Sequence, residues 1–144
     1  MQNINKDLGM AMKSKDEVRV SSLRMMKSEL KNKQVEKGHD LSEEEIQSVI
    51  TSLIRKGRDA AVQFREGHRE DLALREEKEI EIFYGYLPRQ LDPTEIEQVL
   101  EDVISELSPN GLKDLGKVMK VAMIRMAGKA QGKEVNEIAK RLLS

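Results

Sequence analysis

The sequence predicts an all-α fold made of two helical bundles, about four helices in an N-terminal one and three in a C-terminal one. Three observations carry this expectation. Aromatic residues make up 3% of the 144 positions with no Trp, charged residues make up 35%, and there are only three prolines. Such a chain is poor in strand formers and rich in helix formers. A chain of this length buries about two thirds of its unfolded surface, so one domain or two small ones can fold without a metal or disulfide staple.

Seven helical segments follow in order. The first runs roughly from Ile4 to Lys13. Asp16 caps a second, long one through Lys37, in which Val20, Leu23, Met26 and Leu30 share one side while Val18 and Met25 lie on another, as in a helix packed between neighbours. Ser42 to Glu45 has the spacing of a capping box and opens the third helix. Its apolar stripe reads Ile46, Val49, Ile50, Leu53, Gly57, Ala60, Ala61 and Phe64, and the glycine within it predicts close approach of another helix. After Gly67 a fourth helix, with Leu72, Glu76, Glu79, Ile80 and Phe83 at spacings of three and four, runs to about Tyr86 and stops before Pro88.

The boundary between the bundles is placed in the linker Leu87 to Leu91, giving residues 1–90 and 91–144. Asp92, Pro93 and Glu95 restart helix with a cap, a proline in the first turn and a reciprocal glutamate. This fifth helix buries Ile96, Val99, Leu100, Val103 and Leu107. Ser108 to Gly111 is a turn signal, a sixth helix follows to about Met126, and a seventh packs through Val135, Ile138, Ala139 and Leu142, with Glu137 and Arg141 ordered for an i,i+4 pair.

Charge is distributed unevenly. The net charge is -1, yet residues 91–110 hold six acidic residues and no basic one, while residues 111–144 hold eight Lys or Arg against three Asp or Glu. On a continuous sixth helix, Lys113, Lys117 and Lys120 fall within about 60° of one another, opposite Leu115, Val118, Met119, Ala122 and Met126. Lys129 and Lys133 flank the glycines of the following loop. A cationic segment broken by glycines is what a phosphate-facing surface requires, although lysine-rich faces are commonly just solvated.

Catalytic and metal chemistry finds little support. Cysteine is absent, which removes disulfides, thiolate nucleophiles and zinc–thiolate sites. His39 and His68 fall in loops without two-His metal spacing, so no metal and no cofactor is expected. Glu76, Glu77, Glu79 and Glu81 read as ion pairs or polar contacts between helices. Met119, Met123 and Met126 read as core filling rather than a groove. No apolar run could cross a bilayer, and together with the missing cysteines this leads to the expectation of a cytoplasmic protein.

Two sets of residues resemble the YqeY family. In the N-terminal part these are Ala11-Met12-Lys13, Lys15-Asp16, Leu23-Arg24, Asp71-Leu72, Glu76, Glu79 and Tyr86-Leu87-Pro88; in the C-terminal part, Gly116-Lys117-Val118-Met119-Lys120, Gly128-Lys129-Ala130, Val135-Asn136 and Leu142. The C-terminal set is also similar to the tail domain of the B subunit of bacterial aspartyl/glutamyl-tRNA amidotransferase, departing from it between Lys120 and Gly128, where this chain is longer. The resemblance implies two α-helical bundles and a tRNA-facing surface made by Lys113, Lys117, Lys120, Lys129 and Lys133. It places amide-transfer chemistry in other domains and subunits, so a carbon–nitrogen ligase label would be inherited by tail similarity, with no catalytic residue seen here. The expected partner is tRNA or another structured RNA, with a protein of the translation machinery as a further candidate. The alternative is a protein-interaction module whose lysines only solubilise it; a carboxylate enzyme around Arg69 to Glu81 is a third class.

Overall fold

The computed structural model describes residues 2–144. Seven α-helices and no strand occur among them: α1 Gln2–Ser14, α2 Glu17–Lys37, α3 Glu43–Glu66, α4 Glu70–Tyr84, α5 Pro93–Leu107, α6 Leu115–Met126 and α7 Gly132–Leu143, with a short 3-10 turn Gly111–Asp114 before α6. The chain divides into two compact units at Leu87/Pro88.

Helix starts follow their local chemistry. The Asp16 carboxylate accepts from the Arg19 N–H at 3.2 Å. At α3 the Glu45 N–H donates to the Ser42 hydroxyl at 3.2 Å while the Ser42 N–H donates to the Glu45 carboxylate at 3.0 Å. Asp92 and Glu95 repeat the reciprocal arrangement at α5, at 2.8 and 3.3 Å. Each pair satisfies two amides that a helix start otherwise leaves open.

The core of the first unit gathers Leu23, Met26 and Leu30 of α2, Val49, Ile50, Leu53 and Ile54 of α3, and Ile80 and Phe83 of α4, with Ile4 and Ala11 of α1. Leu23, Met26, Leu30 and Ile54 are wholly inaccessible, so α2 buries one apolar side, while Met25 of the expected second side is 42% exposed. Gly57 lets α3 and α4 meet closely: a Cβ there would lie 3.0 Å from Ile80 Cγ1 and 3.5 Å from Glu76 Oε2.

The second unit has its own core, formed by Ile96, Leu100, Val103, Val118, Ala122, Met126, Ala130, Val135 and Ala139, with Met119 and Met123 packed against it. Three expectations need correction. Leu107, expected among the buried residues of the fifth helix, is 43% exposed, because it is the last residue of α5 and lies beyond the part that packs. Lys113 does not belong to α6, because the Asn110 N–H is held by the Asp114 carboxylate at 2.8 Å and Gly111 takes φ +73°, closing a tighter turn ahead of the helix. Helical spacing of 100° per residue therefore does not set its direction. Arg141 reaches across to Glu97 of α5 at 3.0 Å instead of pairing with Glu137 along α7.

Candidate nucleic-acid interface

The second unit separates its cations by type. Its three arginines are all held by acids of α5: Arg89 meets Glu95 at 2.8 Å, Arg141 meets Glu97 at 3.0 Å, and Arg125 meets Glu106. The planar guanidinium fork matches a carboxylate with two donors, so arginine suits these inter-element contacts. The Arg89 guanidinium, followed by the Asp92 backbone, pulls the Glu95 carboxyl down to about 2. The Arg125 guanidinium likewise holds the Glu106 carboxyl below its usual range. Half of the acidity of residues 92–106 is thus matched by arginine, and the lysines are left outside these pairs.

All five lysines of the sequence expectation are exposed. Lys117 has a side chain 80% exposed and lies 3.9 Å from the Asp114 carboxylate, a separation at which an exposed pair is worth little. Among the described residues no ion pair engages Lys113, Lys120, Lys129 or Lys133. Lys117 and Lys120 share the outer side of α6 with Ile124, itself 71% exposed. Lys129 sits in the turn after α6, where Ala127 and Gly128 both adopt positive φ, +38° and +80°. Its N–H donates to Met126 O at 2.8 Å and its carbonyl accepts from the Leu91 N–H at 2.7 Å, so the turn is pinned while the side chain projects. Lys133 lies in the first turn of α7. Lys113 therefore precedes α6 while Lys129 and Lys133 follow it, and twelve residues of helix, about 18 Å, separate the two ends. The lysines are thus spread over both ends of α6 rather than confined to one helical face. Between Lys120 and Gly128 the structure continues α6 to Met126.

Several polar residues with structural roles were not singled out from the sequence. Gln131 is buried and donates to Gln90 Oε1 at 3.2 Å, while Gln90 Nε2 donates to Gly128 O at 2.8 Å and to Pro88 O at 3.0 Å. The pair ties the segment before α5 to the Lys129 turn. A glutamine in a loop carries no periodic signal, so only the fold exposes its role. In the first unit the Tyr86 hydroxyl donates to the Asp7 carboxylate. Burial first, then that hydrogen bond and the Asp7 charge, push the Tyr86 hydroxyl pKa well above its usual value. A cleft of about 280 Å³ opens there, lined by Asn3, Asp7, Arg19, Glu81, Ile82, Gly85 and Tyr86.

The remaining chemistry-bearing groups are dispersed. His39 bonds through Nδ1 to the Asp40 carbonyl at 2.7 Å, and His68 occupies an exposed turn at φ +60°. Glu79 is 6% exposed and lies 3.8 Å from Arg75; burial, then repulsion from Glu76, raise its carboxyl pKa. Glu77 belongs to an exposed network with Arg65 and Glu70. Among the described residues no group of three or more His, Cys, Asp or Glu could hold a metal ion.

Fold and surface together define a class: an all-α protein of two helical units, the second with exposed lysines and with α5 acids matched by arginines. More particularly, the chain belongs to the YqeY family, since the family model described as Yqey-like protein matches residues 1–143. It is similar to Altered inheritance of mitochondria protein 41, mitochondrial, of several yeasts. The Lachancea thermotolerans protein is 35% identical over 108 residues, covering 73% of this chain and 58% of its own length. The Vanderwaltozyma polyspora protein is 30% identical over 120 residues, covering 78% of this chain and 64% of its own length. The Kluyveromyces lactis protein is 36% identical over 84 residues, covering 58% and 45%. This chain thus matches less than two thirds of each relative's length. The relatives' names overturn the cytoplasmic expectation and point to mitochondria. The expectation failed because missing cysteine and missing apolar runs reflect redox chemistry and bilayer crossing, and neither distinguishes one reducing aqueous compartment from another.

Proposed function

We propose that this protein is an RNA-binding accessory module, with tRNA as the partner, that docks the sugar–phosphate backbone along Lys113, Lys117, Lys120, Lys129 and Lys133. The observation carrying this reading is the partition of charge. Acids of α5 take the arginines, while the five lysines stay in solvent, four of them with no ion pair among the described residues. Likeness to the amidotransferase tail supports tRNA within the broader class of structured RNA. With two Tyr, two Phe and no Trp in the whole chain, stacking on single-stranded bases has little to work with, so backbone and shape recognition is favoured.

Counterion release gives the test. If about four phosphates are neutralised, log K falls against log salt with a slope near about -3.6, using about -0.9 per phosphate. Replacing Lys113, Lys117 and Lys120 by Glu should abolish retention of labelled tRNA with helical content unchanged. Unaltered affinity in that variant rejects the assignment. One observation favours a second reading, a protein partner: Leu112 next to Lys113, and Ile124 on the Lys117 and Lys120 side of α6, are exposed apolar side chains. A complex recovered from extract that survives nuclease favours this second reading, and one that dissolves favours RNA.

A further inference from the structure

We propose that α2, in the first unit, carries a second polyanion-binding surface, made by Arg24, Lys27 and Lys31 and suited to the backbone of RNA. The three residues lie at i, i+3 and i+7, so at 100° per residue they fall within about 60° of one another and span about 10 Å of helix. All three are exposed, as is Ser28 between them, whose hydroxyl adds a neutral donor on the same side.

The cations of α2 divide as those of the second unit do. Arg19 has Asp16 at 3.6 Å, Lys33 has Glu36 at 3.6 Å, and Lys37 has Glu45 at 3.5 Å. Among the described residues no carboxylate lies within ion-pair distance of Arg24, Lys27 or Lys31. Like charges three and four residues apart destabilise a helix unless something opposite meets them. Glu17 is the acid of α2 on the same side, and it lies seven residues before Arg24, beyond the reach of that stripe. A bound polyanion removes the repulsion by supplying phosphate charge along the whole stripe.

The geometry argues for RNA over a lipid surface. A helix that lies in a membrane interface needs an apolar face to bury there. In α2 Leu23, Met26 and Leu30 are inaccessible within the core, and the exposed apolar side chains are Met25 and Val35, ten residues apart, which do not make a continuous apolar face. Apart from Val35 at its C-terminal end, the stripe offers charge and hydrogen-bond donors, which is what a phosphate backbone accepts. The choice of RNA among polyanions rests on the reading of the second unit given above, and each unit is assigned its own contact.

The test uses the full chain and fluorescence anisotropy of labelled unfractionated tRNA across a salt series. In the triple variant Arg24→Gln, Lys27→Gln, Lys31→Gln, log K should fall with log salt less steeply by about 2.7. The wild-type advantage then shrinks about 40-fold between about 50 and about 200 mM salt. Circular dichroism checks that helical content is kept. The charge-conserving variant Arg24→Lys, Lys27→Arg, Lys31→Arg should bind as wild type does. If the glutamine variant keeps wild-type affinity and slope while Lys113→Glu, Lys117→Glu, Lys120→Glu loses binding, this inference is overturned and the proposed function stands. Loss in the glutamine variant with full binding by the glutamate variant supports the α2 surface and rejects the lysine site of the second unit. No tRNA binding by the wild-type chain at low salt overturns both. Binding to phosphatidylserine–phosphatidylcholine vesicles that depends on the stripe, with tRNA affinity unchanged, also overturns the RNA assignment.

Discussion

Gly57 shows how one missing methyl sets the geometry of the first unit. Alanine there would gain about 1 kcal/mol of helix preference, but its Cβ would press on Ile80 Cγ1 at 3.0 Å and Cδ1 at 3.3 Å. Overpacking of this kind costs about 1–3 kcal/mol, so Gly57→Ala should lower the urea midpoint. In an Ile80→Ala background the same replacement should raise it, because the space is then free. Glu79 is a second residue whose environment fixes its behaviour. Burial raises its folded pKa above the unfolded value, so the ionised carboxylate weakens the fold, and stability recovers as pH falls through the folded pKa. Glu79→Gln should therefore melt at a higher temperature than wild type at neutral pH, with the advantage fading as the solution is acidified; a constant difference across pH would contradict this. Glu95 behaves oppositely. With its carboxyl held at about 2 by Arg89 and the Asp92 backbone, its contribution is fully present above the unfolded pKa and is lost progressively from there as pH falls to about 2. Carbon-detected NMR should find it ionised through mild acid, and Arg89→Gln should move its titration up toward ordinary glutamate.

Among the elements, α5 was the most legible in advance, since Asp92, Pro93 and Glu95 mark its start and Ile96, Leu100 and Val103 mark its buried side. Asp92→Ala should cost about 1 kcal/mol, read as a lower midpoint of the second unit by denaturant unfolding. The start of α6 was less legible, because helical spacing alone carried Lys113 onto a helix that the Asn110–Asp114 hydrogen bond delays until Leu115. The partner of Arg141 was misread for a related reason. A helical pair along α7 and a contact to Glu97 of α5 both fit the sequence, and packing of α7 on α5 chose the second. The Gln90–Gln131 link had no signal of its own, since its two ends are 41 residues apart and join only when α6 and α7 fold back.

At the scale of the molecule, two separate cores stand where one could have formed. Leu100 is wholly buried in the second of them, so Leu100→Ala should cost about 2–5 kcal/mol there. Both tyrosines, Tyr84 and Tyr86, belong to the first unit and there is no Trp. Tyrosine fluorescence then reports the first unit, while far-ultraviolet circular dichroism reports both. The substitution should shift the dichroism transition and leave the fluorescence midpoint in place; coincident shifts would show the cores to be coupled.

By itself the sequence determined helix against strand, the capped starts at Asp16, Ser42 and Asp92, the buried stripes, and the uneven run of charge, because each depends on neighbours within about one or two turns. Which cations remain available to a partner was decided only by tertiary structure. Arg125 and Arg141 count as equal to the lysines in composition, yet folding brings α5 acids to them and leaves Lys120, Lys129 and Lys133 in solvent. An ion pair across helices depends on distances that no linear spacing encodes, and the cationic surface left over is what remains after those pairs have formed.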